Sequence, residues 1–193
     1  MSGFHQRLLQ LEPHHQQAFM AALCERLLPN YGLYAETTGQ GDLHGLRVIL
    51  DLVWERLAVK EARIDFDRQA EKLAELEPPL DDDSFGARRA LEAVVALSAL
   101  LDTLRGDALD AVLEVSRTSK GGVRAFIELT EGEEDAQRLA VLVKTHPLME
   151  EENDFQDAVL EAVEQSPLDR DNLKALRRLG RNEGVSNLGL SLD

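Results

Sequence analysis

The sequence predicts an all-α protein, a compact bundle of roughly seven to nine helices with a buried central helix near 87–104. Apolar residues recur at spacings of three and four along most of the chain, and helix-starting and helix-stopping residues bound these runs. Few segments alternate apolar and polar residues over strand length with β-branched side chains. With 193 residues, 44% hydrophobic and 30% charged, the chain has enough length and apolar content to bury a core. It is expected to form a single helical domain over 1–193, the last two helices, about 147–184, making a hairpin on the same core.

Pro13 suits a first helical position, and Phe19, Leu23 and Leu27, with Ala22 beside them, form a stripe that is expected to stop at Pro29. Asn30 to Thr38, with Tyr31 and Tyr34, then reads as a short irregular unit ending at Gly39 and Gly41. Asp42 can cap a third helix carrying Leu46, Ile49, Leu50, Val53, Trp54 and Leu57 at core spacing. Asp65 or Asp67 opens another helix to about Leu76, closed by Pro78 and Pro79, and Ser84 caps the next. From Ala87 to Leu104 the apolar and small residues leave no wide polar stripe, so this helix needs neighbours on several sides. Asp107 is expected to start a helix with Leu109, Val112, Leu113 and Ser116 that Gly121 and Gly122 weaken or bend. After a polar loop from Thr130 to Asp135, a short helix runs to Lys144, Pro147 begins a longer one, and Asp169 or Asp171 starts the last, with Gly184 as its stop.

The charge balance is Lys+Arg 21 against Asp+Glu 36, a net of -15, which disfavours nucleic acid and acidic membrane surfaces as partners. No uninterrupted apolar stretch approaches the roughly 18 to 20 residues that span a bilayer. The start, MSGFHQRLLQ, has no apolar h-region followed by a small-residue cleavage site. Cys24 is the only cysteine, so an intramolecular disulfide is impossible, and a cytoplasmic location is the expectation.

Read in order, FMAALCERLLPNY, TTGQGD, ILDLVWERL, FDRQAEKL, EVSRTS and SNLGL resemble the YjaG-like DUF416 family of uncharacterised bacterial proteins, over nearly the whole chain. The resemblance implies a compact helical fold in a bacterial cytoplasm. It implies no catalytic residues.

The residues that could carry chemistry are sparse. Glu12 and His15 have the Glu-x-x-His spacing of di-iron bundles, yet no second copy exists. One Cys and five scattered His do not make a zinc site, and Cys24, between Leu23 and Glu25, reads as a core residue. TTGQGD lacks the lysine of a phosphate loop, and in SRTSKGG the glycines follow Lys120 instead of framing it. No metal and no cofactor are expected. A pocket around Tyr31, Tyr34, His44, Trp54 and Glu55 is one candidate site, since irregular turns often host ligands.

A second candidate is a surface. Glu150, Asp154, Asp157, Glu161 and Glu164 follow steps of four, three, four and three, and Arg170, Lys174, Arg177 and Arg181 form a basic stripe on the last helix. Like charges at i,i+4 repel, so a complementary surface would relieve them. The leading expectation is a non-catalytic interaction protein that forms a homo-oligomer or docks a protein partner. The alternative is an enzyme or small-molecule binder using the Tyr31–Trp54 pocket.

Overall fold

The structure, a computed structural model, describes residues 3–107 and 110–192. Within them lie nine α-helices and no strand: α1 (Phe4–Gln10), α2 (Pro13–Thr38), α3 (Leu43–Ala58), α4 (Phe66–Ala74), α5 (Phe85–Leu104), α6 (Ala111–Glu131), α7 (Ala136–Thr145), α8 (Pro147–Gln165) and α9 (Arg170–Arg181). Side-chain caps set many of the starts. Asp42, Asp65, Ser84, Asp135 and Asp169 each accept a hydrogen bond from the third backbone N–H that follows. Pro13 and Pro147 open α2 and α8, where the missing N–H costs nothing.

α2 is the axis of the bundle. It packs against α3, α5, α6, α8 and α9, and Ala18 through Gly32 are buried without a break. The expected buried helix, α5, is buried through Ala90, Val94, Leu97, Leu100 and Leu101, but α2 is enclosed more completely. The irregular unit expected from Asn30 to Thr38 does not exist: α2 continues through Pro29 to Thr38 and ends on Gly39, whose φ of 71° supplies the left-handed cap. Pro29 offers no N–H to the carbonyl of Glu25, a defect worth about 3 kcal/mol in a helix interior. Contacts on every side of α2 outweigh it, among them Tyr31 and Tyr34, both buried just beyond the proline.

Two further expectations change, and one helix appears that the sequence reading did not include. Residues 4–10 form a helix of their own, α1, whose Leu8 is buried. α6 begins at Ala111, not near Asp107, and runs unbroken through Gly121 and Gly122; Leu109 lies outside the described residues. Gly122 is there for space, because a Cβ would come within 2.9 Å of Glu92 Oε1 and 3.3 Å of Asn187 Nδ2. α9 stops at Arg181, three residues before Gly184, where Asn182 and Glu183 take φ values of 49° and 57°. At Gly180 a Cβ would sit 2.6 Å from the carbonyl oxygen of Ala22 and 2.9 Å from its Cα, so α9 rests backbone to backbone on α2.

Candidate functional site

Glu25 stands on α2 between α3 and α9, and its side chain has no exposed surface. Spacing on α3 places Arg47, Asp51 and Trp54 on one face, and Arg177 and Arg181 sit one turn apart on α9. Arg47 Nη1 donates to both carboxylate oxygens at 2.8 Å, Trp54 Nε1 donates to Oε1 at 2.9 Å, and Arg177 Nε donates to Oε1 at 3.2 Å. Arg181 Nε lies 3.7 Å from Oε2, while Arg177 also pairs with Asp51. Three of these four hydrogen bonds fall on Oε1 and one on Oε2, where Arg181 adds only an ionic contact. Its role is to hold three guanidiniums in place.

Those guanidiniums are only partly neutralised. Three positive charges against Glu25 and Asp51 leave a surplus of one on a chain whose net charge is -15. The side chains of Arg181, Arg47 and Arg177 remain 52%, 30% and 26% exposed. Arg47 and Arg181 line a cleft of about 650 Å³ with His44, and Leu28, Pro29, Leu43 and Leu192 supply apolar wall. On the other side of the cluster, Trp54, Glu55, Arg170, Lys174 and Arg177 line a groove of about 360 Å³. The left-handed turn at Asn182 and Glu183 follows Arg181 directly; such non-glycine conformations cost of order 1–3 kcal/mol and gather at ligand sites.

The five residues of the expected pocket are dispersed. Tyr31 is buried, donating to the Leu76 carbonyl at 2.7 Å and accepting from the Asp42 N–H at 3.1 Å, so it ties α2 to the start of α3 and the end of α4. Tyr34 is buried one turn further along α2 and reaches Gln40. His44 is exposed at the mouth of the larger cleft, Trp54 is buried against Glu25, and Glu55 faces the groove beyond it. Sequence reasoning missed Glu25, Arg47 and Asp51. The available signal was the adjacent pair Glu25 and Arg26 inside the otherwise apolar run from Ala18 to Pro29.

The charge stripes are also rearranged. Arg177 and Arg181 turn inward to Glu25, whereas Arg170 and Lys174 stay exposed. Glu150, Asp154, Asp157 and Glu161 are exposed on α8 and enter no ion pair among the described residues; Glu164 pairs with Arg7 of α1. Arg177 and Arg181 of α9 are thus paired with carboxylates of α2 and α3, not with those of the neighbouring α8.

A second buried polar network lies beside the first. Arg26 bonds Glu152 at 3.0 Å and covers the Phe155 ring at 4.1 Å. Ser119 and Gln156 donate to the same carboxylate, and Ser116 donates to Gln156 at 2.6 Å. Burial pushes the Glu152 carboxyl up and the Arg26 guanidinium down. Breaking such a pair costs more than forming it contributes, so this network reads as a device for docking α2, α6 and α8 in one register. Cys24 is buried next to it, its thiol pushed up by burial and then by Glu25. Among the described residues, no three His, Cys, Asp or Glu side chains gather as metal ligands. Among the described residues no helix is long and apolar enough to cross a membrane.

A family model described as "Protein of unknown function (DUF416)" matches residues 3–191. The "Uncharacterized protein YjaG" of Escherichia coli is 40% identical over 189 residues, 96% of this chain and 95% of that protein. An uncharacterized protein of Haemophilus influenzae is 35% identical over 190 residues, 96% of this chain and 95% of that protein. The crystal structure of a DUF416 family protein from Shewanella baltica OS155, 33% identical, superposes with a TM-score of 0.92 and full coverage of both chains.

Proposed function

The chain belongs to the DUF416 family of proteins of unknown function, and from the geometry of its own side chains we propose that it is a binding protein whose α2–α3–α9 cleft takes a small molecule carrying an oxyanion group, carboxylate or phosphate. One observation carries this reading: a single buried carboxylate gathers three guanidiniums, two of which border a cleft with N–H groups to spare. Guanidinium forks match carboxylate and phosphate geometry, and a donor set held by a supporting shell loses little freedom on binding. Leu28, Leu43 and Leu192 then suit an apolar portion of the same ligand.

Trp54 is the only tryptophan, and its indole N–H is bonded to Glu25, so its fluorescence reports on the cluster. Inorganic phosphate and citrate should each be titrated against the wild type and against Arg47→Met with Arg181→Met. The reading expects a saturable change for at least one anion in the wild type and its loss in the double variant. Flat titrations with both anions, together with native mass spectra free of any retained small molecule, would sink it.

A protein-docking role rests on a narrower basis than the stripes suggested. Its support is the α8 face of Glu150, Asp154, Asp157 and Glu161, exposed and in no ion pair among the described residues, together with the exposed Arg170 and Lys174 on α9. Reversing Arg170 and Lys174 to Glu leaves the Glu25 cluster intact and isolates this reading. An oligomeric mass in light scattering that the reversal lowers supports it, and an unchanged mass counts against it.

A further inference from the structure

Away from the Glu25 cluster, the second half of α2, the start of α5 and the segment after α9 border a separate, partly open cavity of about 330 Å³. Asn30 and Thr37 contribute from α2, Phe85 and Arg89 from α5, and Leu188 and Leu190 from the last segment. Four buried side-chain atoms among the described residues have no hydrogen-bond partner, those of His15, Arg26, Asn30 and Arg89. Two of the four residues, Asn30 and Arg89, line this one cavity, and they are only 6% and 9% exposed. Arg89 Nε has Glu92 as an ionic partner, which leaves Asn30 Oδ1 as the unpaired atom at this cavity, and buried polar groups left unpaired are rare enough to call for a reason.

The orientation of Asn30 follows from its neighbours. Asn187 Nδ2 donates to the Ser119 carbonyl at 2.9 Å, which turns Asn187 Oδ1 toward Asn30. Asn30 must then present its Nδ2, at 2.8 Å, and its Oδ1 is left without a donor. Flipping Asn30 would set two oxygens against each other. Arg89 lies over the Phe85 ring at 4.6 Å and its Nε pairs with Glu92 at 2.7 Å. That counter-ion is weak, because burial pushes the Glu92 carboxyl up to about 7. At the α5 N-terminus Ser84 Oγ takes the Ala87 N–H, while Phe85 and Gly86 precede it at the cavity wall with N–H groups no helical carbonyl can reach.

The cavity therefore presents a cation with a helix N-terminus, an acceptor lacking a donor, and an apolar wall. We infer that it binds a small amphipathic acid that carries its own hydrogen-bond donor, an α-amino or α-hydroxy acid with an apolar side chain. The carboxylate faces Arg89 and the start of α5, the ammonium or hydroxyl satisfies Asn30 Oδ1, and the side chain lies on Leu188 and Leu190. The volume is near the lower end of the roughly 300 to 1,000 Å³ typical of ligand pockets, which suits a molecule of this size.

Four probes of one shape separate the parts: phenylalanine, phenyllactate, 3-phenylpropanoate and phenylalaninamide, each titrated calorimetrically into the full chain. Phenylalanine or phenyllactate should bind saturably, and which of them binds better tells the amino acid from the hydroxy acid. 3-Phenylpropanoate, lacking the donor, should be about tenfold weaker, and the amide, lacking the carboxylate, weaker still. Arg89→Met should abolish binding. Should that variant not fold, Gly86→Leu serves in its place, since a Cβ at Gly86 meets nothing within 4 Å and the side chain would crowd the free N–H groups without disturbing the core. Arg47→Met with Arg181→Met should leave this binding unchanged, which keeps the cavity distinct from the cleft. Absence of binding by both acids that carry a donor, equal affinity for 3-phenylpropanoate, or full affinity in Gly86→Leu would each overturn the inference.

Discussion

Gly180→Ala adds one methyl group at the place where α9 rests on α2, and two opposing effects decide its outcome. Alanine is favoured over glycine in a helix interior by about 1 kcal/mol. Against this, the new Cβ would lie 2.6 Å from the Ala22 carbonyl oxygen, 2.9 Å from its Cα and 3.2 Å from its carbonyl carbon. All three are backbone atoms of the most enclosed helix, so no rotamer change relieves the overlap. Restoring contact distances near about 3.5 Å requires α9 to move off α2 by on the order of 1 Å. Overpacking of this kind costs about 1 to 3 kcal/mol, and with rigid neighbours the upper half of that range applies. The net expectation is a loss of about 1 to 2 kcal/mol, a melting temperature lower by about 2 to 8 °C for a chain of this size. The displacement also carries Arg177 and Arg181 away from Glu25, so the emission of Trp54, over which Arg177 lies at 5.9 Å, should shift in the folded variant. Gly121→Ala is the control. It lies inside α6, has no neighbour within 4 Å of the added Cβ, and should gain up to about 1 kcal/mol. Denaturant melts of both variants test the reasoning, and a Gly180→Ala protein as stable as Gly121→Ala would refute the claim of backbone contact.

Glu92, held protonated up to about pH 7 against an ordinary value of 4.5, binds in the folded state a proton that the unfolded chain has already released, so stability should fall as pH rises between those values. A tenfold difference in proton affinity between the two states corresponds to about 1.4 kcal/mol, and Glu92→Gln should remove on the order of 2 kcal/mol of that decline, measured as melts at pH 5 and pH 8. Some slope should persist, because burial raises Glu152 as well; an unchanged profile in Glu92→Gln would show that the carboxyl is solvated. Cys24, buried and with its thiol pushed up, should resist iodoacetamide in the native protein and react fully in guanidinium. Rapid native labelling would mean that α2 opens locally.

Helix identity is legible wherever a capping side chain or an initiating proline precedes an apolar rhythm, as at Asp42, Ser84, Pro147 and Asp169. Pro29 misleads, because local rules treat a proline as a stop, whereas contacts from five other helices set the balance along α2. The same enclosure hides Glu25. A charged residue on a helix is ordinarily taken as solvent-facing, and its partners lie 22, 29 and 152 residues away, beyond any local spacing. The basic stripe on α9 is visible as a pattern, but its destination depends on which helix α9 packs against. Backbone contact at Gly180 and Ala22 is what directs Arg177 and Arg181 to α2.

Beyond α9 the chain alternates in its neighbours. Leu188 and Leu190 wall the cavity at the start of α5, and Leu192, two residues on, walls the cleft beside Arg47 and Arg181 and lies against Gly32 of α2. A single short segment is thus a partition shared by two compartments. Were an occupant of one compartment to fix Leu190, Leu192 two residues on would have less freedom in the other, and any such influence would be equal in both directions.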